Sequence, residues 1–84
     1  MTEKSLTESE KNRIYWRSRR GMLELELRLL PFVENRFHTL SEQDQRAYAA
    51  LLEHEDWEIF DWLQDREQVP DPAIRRVIGL IKSP

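Results

Sequence analysis

Apolar residues recur three and four positions apart in several segments of the chain, which is the period of one face of an α-helix. The most regular example lies near the C-terminus, at Ile74, Val77, Ile78 and Ile81. No alternating run of β-branched residues exceeds a few positions, and no Asn-Gly or Asp-Gly pair marks a hairpin turn. The pattern therefore predicts an all-α protein, a compact bundle of about five short helices.

The longest apolar stripe begins at Gly21 or Met22 and predicts a helix that runs to about Phe37. Its residues at helical spacing are Met22, Leu25, Leu29, Leu30, Val33 and Phe37. Leu23 and Leu27 widen this stripe, so we expect the helix to lie centrally and to be contacted on more than one side. Because Pro31 lacks the N–H that would bond the Leu27 carbonyl, we expect a kink there.

Capping residues divide the rest of the chain into further helices, and in chain order these caps are Ser5 or Thr7, Ser41, Asp56 and Asp71. They predict a first helix that ends near Arg19 and a third over about residues 42–53. Asp56 starts a short fourth helix, and Asp71 before Pro72 starts the last one. We expect one helical domain over residues 1–84, with a disordered segment at residues 1–6.

Composition limits this domain to one modest core and to a few kinds of site. The chain has 84 residues and no cysteine, which excludes a disulfide framework, a thiol nucleophile and a cysteine zinc site. No apolar stretch approaches the roughly 20 residues that a membrane span needs. The N-terminus also lacks a signal-peptide pattern. We therefore expect a cytoplasmic protein that does not insert into membranes.

Charge is distributed unevenly along the chain, although the net charge is only −3. Residues 11–20 contain five bases and no acid, whereas residues 53–67 contain seven acids and one arginine. One interpretation is that the two runs attract each other across the fold. The other is a bipolar surface that orients a protein partner.

Catalytic, metal and phosphate-binding patterns are weak. His38 and His54 lie in different segments and share no metal-ligand spacing. Gly21 and Gly79 stand alone, so there is no glycine-rich phosphate loop. Tyr15 and Trp16 lie between arginines, which suits RNA, but the acidic segment would repel a polyanion. We therefore predict no catalytic, metal or cofactor-binding residues, no enzyme activity and no nucleic-acid partner.

The segment Arg20-Gly21-x-x-Glu24 concentrates charge around one of the two glycines. In a purely structural interpretation, Gly21 turns the chain through a conformation that only glycine adopts cheaply. Arg20 and Glu24 are then an exposed pair four residues apart. Spacing alone does not reject this interpretation.

The stretch RRGMLELE closely resembles the signature of a known family, the bacterial FAD assembly factors of succinate dehydrogenase. The family motif, R-R-G-[ML]-x-E-x-D, falls here on Arg19, Arg20, Gly21, Met22 and Glu24. The resemblance covers about Asn12 to Ile81, including Leu30 to Phe37, the pair Leu51-Leu52, Asp56, and Trp62-Leu63. Two positions depart from it, because Glu26 replaces the usual aspartate and Trp57 replaces a proline or small polar residue.

The resemblance implies a fold of five helices and a role in assembling another protein. Family members bind the flavoprotein subunit of succinate dehydrogenase, and in some bacteria that of fumarate reductase. They promote covalent attachment of FAD to a histidine of that client, so the FAD belongs to the client. By resemblance, Arg20, Gly21 and Glu24 contact the client, with Arg19, Met22 and Glu26 as neighbours of the contact. We expect a monomer with no cofactor of its own.

Two other functions remain open on the residues alone. The first is a small regulatory or antitoxin-like protein that binds a partner other than a flavoprotein. The second is a helical RNA-binding module, whose binding would weaken steeply with salt.

Overall fold

A computed structural model describes residues 6–83, and over that range the chain is all-α, as predicted. Its helices, in chain order, are α1 (Glu8–Arg17), α2 (Leu23–Asn35), α3 (Glu42–Leu51), α4 (Asp56–Leu63) and α5 (Pro72–Lys82), with a 3-10 turn at Phe37–Thr39. The radius of gyration of 12.3 Å matches the value of about 12 Å that a compact chain of this length has. The predicted compact bundle of five helices is confirmed.

Helix caps explain most of these boundaries. The Thr7 hydroxyl accepts a hydrogen bond from the backbone N–H of Glu10, and the Glu10 carboxylate accepts one from the N–H of Thr7. At α3, the Ser41 hydroxyl accepts a hydrogen bond from the backbone N–H of Asp44. Of the two caps proposed for α1, Thr7 is the one used, whereas Ser5 lies outside the described residues.

The cap of α4 was predicted wrongly by one residue. Glu55 occupies the N-cap position, with extended backbone angles, and Asp56 is the first helical residue. The Glu58 carboxylate accepts a hydrogen bond from the backbone N–H of Glu55, which favours this start. The Asp56 side chain is therefore available for a contact outside its own helix.

The core is built from one face of every helix, with α3 packed closely on α5. Its fully buried large side chains are Leu25, Leu29, Tyr48, Leu51, Ile59 and Val77. The predicted α5 stripe is buried throughout, at Ile74, Val77, Ile78 and Ile81. Leu6, expected in a disordered segment, is buried against this core, and residues 1–5 lie outside the described part of the chain.

Helix α2 packs against α1, α4, α5 and the 3-10 turn, which confirms that it is contacted on more than one side, although its outer face is exposed. Leu23 and Leu27 are 66% and 65% exposed, although they extend the apolar stripe in sequence. Its buried residues are Leu25, Leu29 and Phe32, so the neighbouring elements cover one face of the helix and leave the face with Leu23 and Leu27 exposed. Helix α2 continues through Pro31 to Asn35.

Asp71 provides a direct test of the capping that fixes α5. Its Oδ1 accepts hydrogen bonds from the backbone N–H groups of Ala73 at 2.8 Å and Ile74 at 3.4 Å. Because these amides lose their partner, Asp71→Ala should lower the free energy of unfolding by about 1 kcal/mol. Asp71→Asn keeps an acceptor oxygen and should cost only a few tenths of that. Urea denaturation of both variants measures the difference, and equal losses would show that the cap is not the cause.

Candidate functional site

The segment that joins α1 to α2 is attached to the turn between α3 and α4 by one side chain, Arg20. Its Nε donates to Asp56 Oδ1 at 2.6 Å, and its Nη2 donates to the His54 carbonyl at 2.6 Å. Its Nη1 donates to the carbonyls of Leu52 at 2.9 Å and Arg17 at 3.0 Å. The Arg20 side chain is only 14% exposed. One guanidinium therefore binds the end of α1, the turn and the start of α4 together.

This position suits an arginine for reasons of helix electrostatics. Leu52 is the C-cap residue of α3, where carbonyls lack intrahelical partners and the helix dipole favours a cation. Asp56 supplies a carboxylate on the other side of the guanidinium, at the first position of α4. A guanidinium presents donors in a planar fork, so it serves several acceptors at once, which a lysine ammonium on its flexible stem does less well.

A buried hydroxyl pair occupies the same corner of the core. Ser18 and Tyr48 are both fully buried, and their hydroxyl oxygens lie 2.7 Å apart. The Ser18 hydroxyl also donates to the Ile14 carbonyl at 2.9 Å, so the Tyr48 hydroxyl donates to Ser18. Burial raises the pKa of Tyr48 from 10.0 to about 12, against smaller lowering effects of the Ser18 hydrogen bond and the Arg20 charge.

The raised pKa of Tyr48 predicts a loss of stability in alkali. Above pH 10.0 the unfolded chain releases the Tyr48 proton, whereas the folded chain keeps it until about pH 12, so unfolding is favoured in that window. The wild-type chain should lose about 1.4 kcal/mol by about pH 11 through this group. Urea denaturation at about pH 8 and pH 11 should show that loss as the difference between wild type and Tyr48→Phe. Parallel pH profiles of the two proteins would contradict the assignment.

A shallow groove of about 670 Å³ lies over the Arg20 contact. Its lining residues are Arg17, Arg19, Arg20, Met22, Leu52, Glu53, His54, Glu55, Asp56 and Trp57. The motif segment thus forms one wall, and the α3–α4 turn with the start of α4 forms the other. The Trp57 side chain, 61% exposed at this groove, offers a large apolar surface to a partner.

The six residues singled out from the sequence lie in different surroundings. Arg20, Arg19 and Met22 line the groove, and the exposed Arg19 guanidinium lies 5.8 Å from the centre of the Trp16 ring. Glu24 is exposed and Glu26 is half-buried in the first turn of α2, where the helix dipole favours carboxylates. Within residues 6–83, neither carboxylate has a hydrogen bond or an ion pair.

The backbone conformation of Gly21 does not agree with the purely structural interpretation. It does not have a positive φ, and a Cβ added there would meet no atom within 4 Å. The fold of this chain therefore does not require glycine at position 21. The proposed pair between Arg20 and Glu24 is also wrong, because Arg20 lies outside the helix and binds Asp56 instead.

Charge attraction across the fold accounts for part of the two charged runs. Arg17 Nη1 lies 2.8 Å from Glu53 Oε2, and Arg20 Nε lies 2.6 Å from Asp56 Oδ1. The Arg17 pair is exposed and contributes little, whereas in the second pair Arg20 is largely shielded from water and Asp56 is partly exposed. Of the two interpretations offered by the sequence, mutual attraction of the runs is the one that these contacts support.

Sequence patterns did not identify the turn as part of the site. The Leu52 and His54 carbonyls, and Asp56 as the partner of Arg20, lie 32 to 36 residues away from Arg20 in sequence. Two features of the sequence could have indicated the turn, namely the acidic run over residues 53–67 and Trp57, which departs from the family pattern. In the part of the chain that the structure describes, no three metal-ligating side chains come together, and no helix is long and apolar enough to cross a membrane.

Comparison with known proteins gives a consistent family. A family model described as "Flavinator of succinate dehydrogenase" matches residues 12–84. A Pseudomonas putida protein named "FAD assembly factor SdhE" is 42% identical over 74 residues, which cover 88% of each chain. Proteins of the same name from Pectobacterium atrosepticum and Shewanella oneidensis are 40% identical over 73 residues and 44% identical over 70 residues. These matches cover 87% and 83% of this chain, and 83% and 85% of the relatives.

Proposed function

The chain belongs to the family of flavinators of succinate dehydrogenase, and on that premise we propose that it promotes covalent attachment of FAD to the flavoprotein subunit of that enzyme. It does so by binding the subunit as a client, as a monomer in the cytoplasm. The flavoprotein subunit of fumarate reductase is the second client of this proposal. The relatives are named assembly factors, which agrees with a role in binding rather than in catalysis.

The observation that carries the proposal is the groove between the motif segment and the α3–α4 turn. It brings Arg19 and Met22 of the motif next to the exposed Trp57 indole. A shallow surface with an aromatic anchor and flexible charged groups is typical of protein–protein contacts. Burial of the Trp57 indole against a client would remove apolar surface from water, which favours binding.

In this proposal the client's own histidine and the FAD form the covalent bond, and this chain carries no cofactor. The chain supplies binding energy that holds the client in a reactive arrangement, which is an effect of orientation. Gly21 then serves the client rather than the fold, because its bare backbone lets the client approach closely. Glu24, whose carboxylate is exposed on α2, is placed to meet a basic group of the client.

Arg20 has a different part from the one that the motif suggests. An arginine that contacts the client through such a motif would offer its guanidinium to a client carboxylate or carbonyl as a bidentate donor. Its donors are directed instead to Asp56 and to three carbonyls of this chain. In the proposal, Arg20 supports the site from beneath and contacts the client with its edge at most.

The test uses cells that lack this protein and carry the flavoprotein subunit. After denaturing electrophoresis, covalently bound flavin makes the subunit fluorescent in the gel. We expect weak labelling without this protein, full labelling with it, and recovery of the subunit with the tagged chain in a pull-down. Equal labelling in both strains, together with no complex, would overturn the proposal.

A further inference from the structure

Arg20 is the motif residue whose side chain makes the most hydrogen bonds within the described chain. Four of its five guanidinium N–H groups donate to Asp56 Oδ1 and to the carbonyls of Arg17, Leu52 and His54. The contact with Asp56, at 2.6 Å, is charge-assisted and belongs to the stronger class of hydrogen bond. Little of this donor capacity is left for a partner.

Asp56 is followed directly by Trp57, and Arg20 is followed two residues later by Met22. The ion pair therefore connects the backbone positions from which both apolar groove side chains project. Met22 is half-buried against the core, and Trp57 is 61% exposed. Because this contact joins the two walls of the groove, we expect its loss to change their relative position.

The turn is also held from its other side. The His54 ring packs edge-on against the buried Trp62, with 4.9 Å between ring centres, and its Nδ1 lies 3.3 Å from the Glu58 carboxylate. Arg20 binds the His54 carbonyl from the opposite direction, at 2.6 Å. The side chain of His54 is therefore held by α4, and its backbone carbonyl is held by Arg20.

We propose that Arg20 and Asp56 are positioning residues, an ion-pair clamp that sets the groove before the client binds, while Met22 and Trp57 make the contact. This inference rests on the proposed function, since it assigns roles within that same site. The clamp acts by preorganisation, because a turn that is fixed in the free chain loses less freedom on binding. Asp56 acts on the client only through Arg20.

This mechanism makes the effects of the two residues non-additive. The experiment measures the dissociation constant for the purified apo flavoprotein subunit with wild type, Arg20→Ala, Asp56→Ala and the double variant. Each single variant should weaken binding at least tenfold, and the double variant should bind within about twofold of Arg20→Ala. The indole N–H resonance of Trp57 should move in the NMR spectra of both free single variants, which reports the displaced groove wall.

Asp44→Ala is the matched control for simple loss of stability. Asp44 forms another part-buried carboxylate–arginine pair, 3.1 Å from Arg76 Nε, but it lies between α3 and α5, outside the groove. Asp44→Ala should lower the free energy of unfolding about as much as Asp56→Ala does. Its dissociation constant for the client should stay within twofold of wild type. All affinities are measured where circular dichroism shows each variant folded.

The outcomes separate this inference from the proposed function. If the wild-type chain does not bind the subunit at all, the proposed function fails. If wild type binds but Asp56→Ala binds equally well, the clamp is wrong while the proposed function stands. A double variant whose loss equals the product of the single losses would show that Arg20 contacts the client independently of Asp56, which also overturns the clamp.

Discussion

Replacement of Gly21 by arginine is expected to slow flavin attachment to the client severalfold or more while the isolated chain folds normally. No atom of the fold lies within 4 Å of a Cβ at this position, and the backbone there has no positive φ. A new side chain therefore projects outward, where the proposed client approaches. Overfilling a close contact costs about 1–3 kcal/mol, so the initial rate of flavin attachment should fall by about fivefold to 150-fold.

Gly79 provides a matched control for this substitution, because it is the other glycine of the chain and also has open space around it. It lies on α5, outside the motif segment that runs from Arg19 to Glu24. Gly79→Arg should keep the wild-type rate, measured from covalent flavin fluorescence of the client. Gly21→Ala, a smaller change, should reduce the rate less than Gly21→Arg. Wild-type rates in Gly21→Arg would show that the motif glycine does not face the client.

Truncation of Leu29 to alanine is expected to remove a large part of the stability of the domain. Leu29 is fully buried on the inner face of α2. Its loss removes apolar burial and leaves a cavity, which together cost about 2–5 kcal/mol. A domain of this size has about 5–10 kcal/mol in total, so the melting temperature should fall by about 10 °C or more.

Leu27→Ala is the control on the same helix, since it makes the same substitution at a side chain that is 65% exposed. It should change the free energy of unfolding by no more than about 0.5 kcal/mol. Thermal and urea denaturation of both variants test the orientation of α2. Comparable losses at the two positions would mean that Leu27 is buried and that α2 is oriented differently.

The helices of this fold can be predicted from the sequence, because each is marked by apolar spacing or capping residues that lie close together in the chain. The α5 stripe and its Asp71 cap are examples, since spacing and capping depend only on neighbours in the chain. The width of the buried face is not a local property. Leu23 and Leu27 have the same apolar character as Leu25 and Leu29, and the placement of the neighbouring elements decides which are covered.

The site shows the same division between local and tertiary information. The motif marks Arg20 and Gly21 as special, and the structure places Arg20 at the groove. What Arg20 binds depends on a turn more than 30 residues away, which no spacing rule within the motif reveals. The acidic run pointed toward this contact, since a largely shielded arginine needs a carboxylate, but it offered seven candidates. The fold selects Asp56.

If this chain accelerates covalent attachment of FAD to its client, a reaction reconstituted from purified components will show it. Purified apo flavoprotein subunit is mixed with FAD, with or without an equimolar amount of this chain, and sampled over time. Covalent flavin is read as fluorescence of the denatured subunit. We predict a rate at least about tenfold higher with the chain present, as expected for an orientation effect. Identical time courses with and without the chain, in a mixture where the subunit does become flavinylated, would contradict the proposed function.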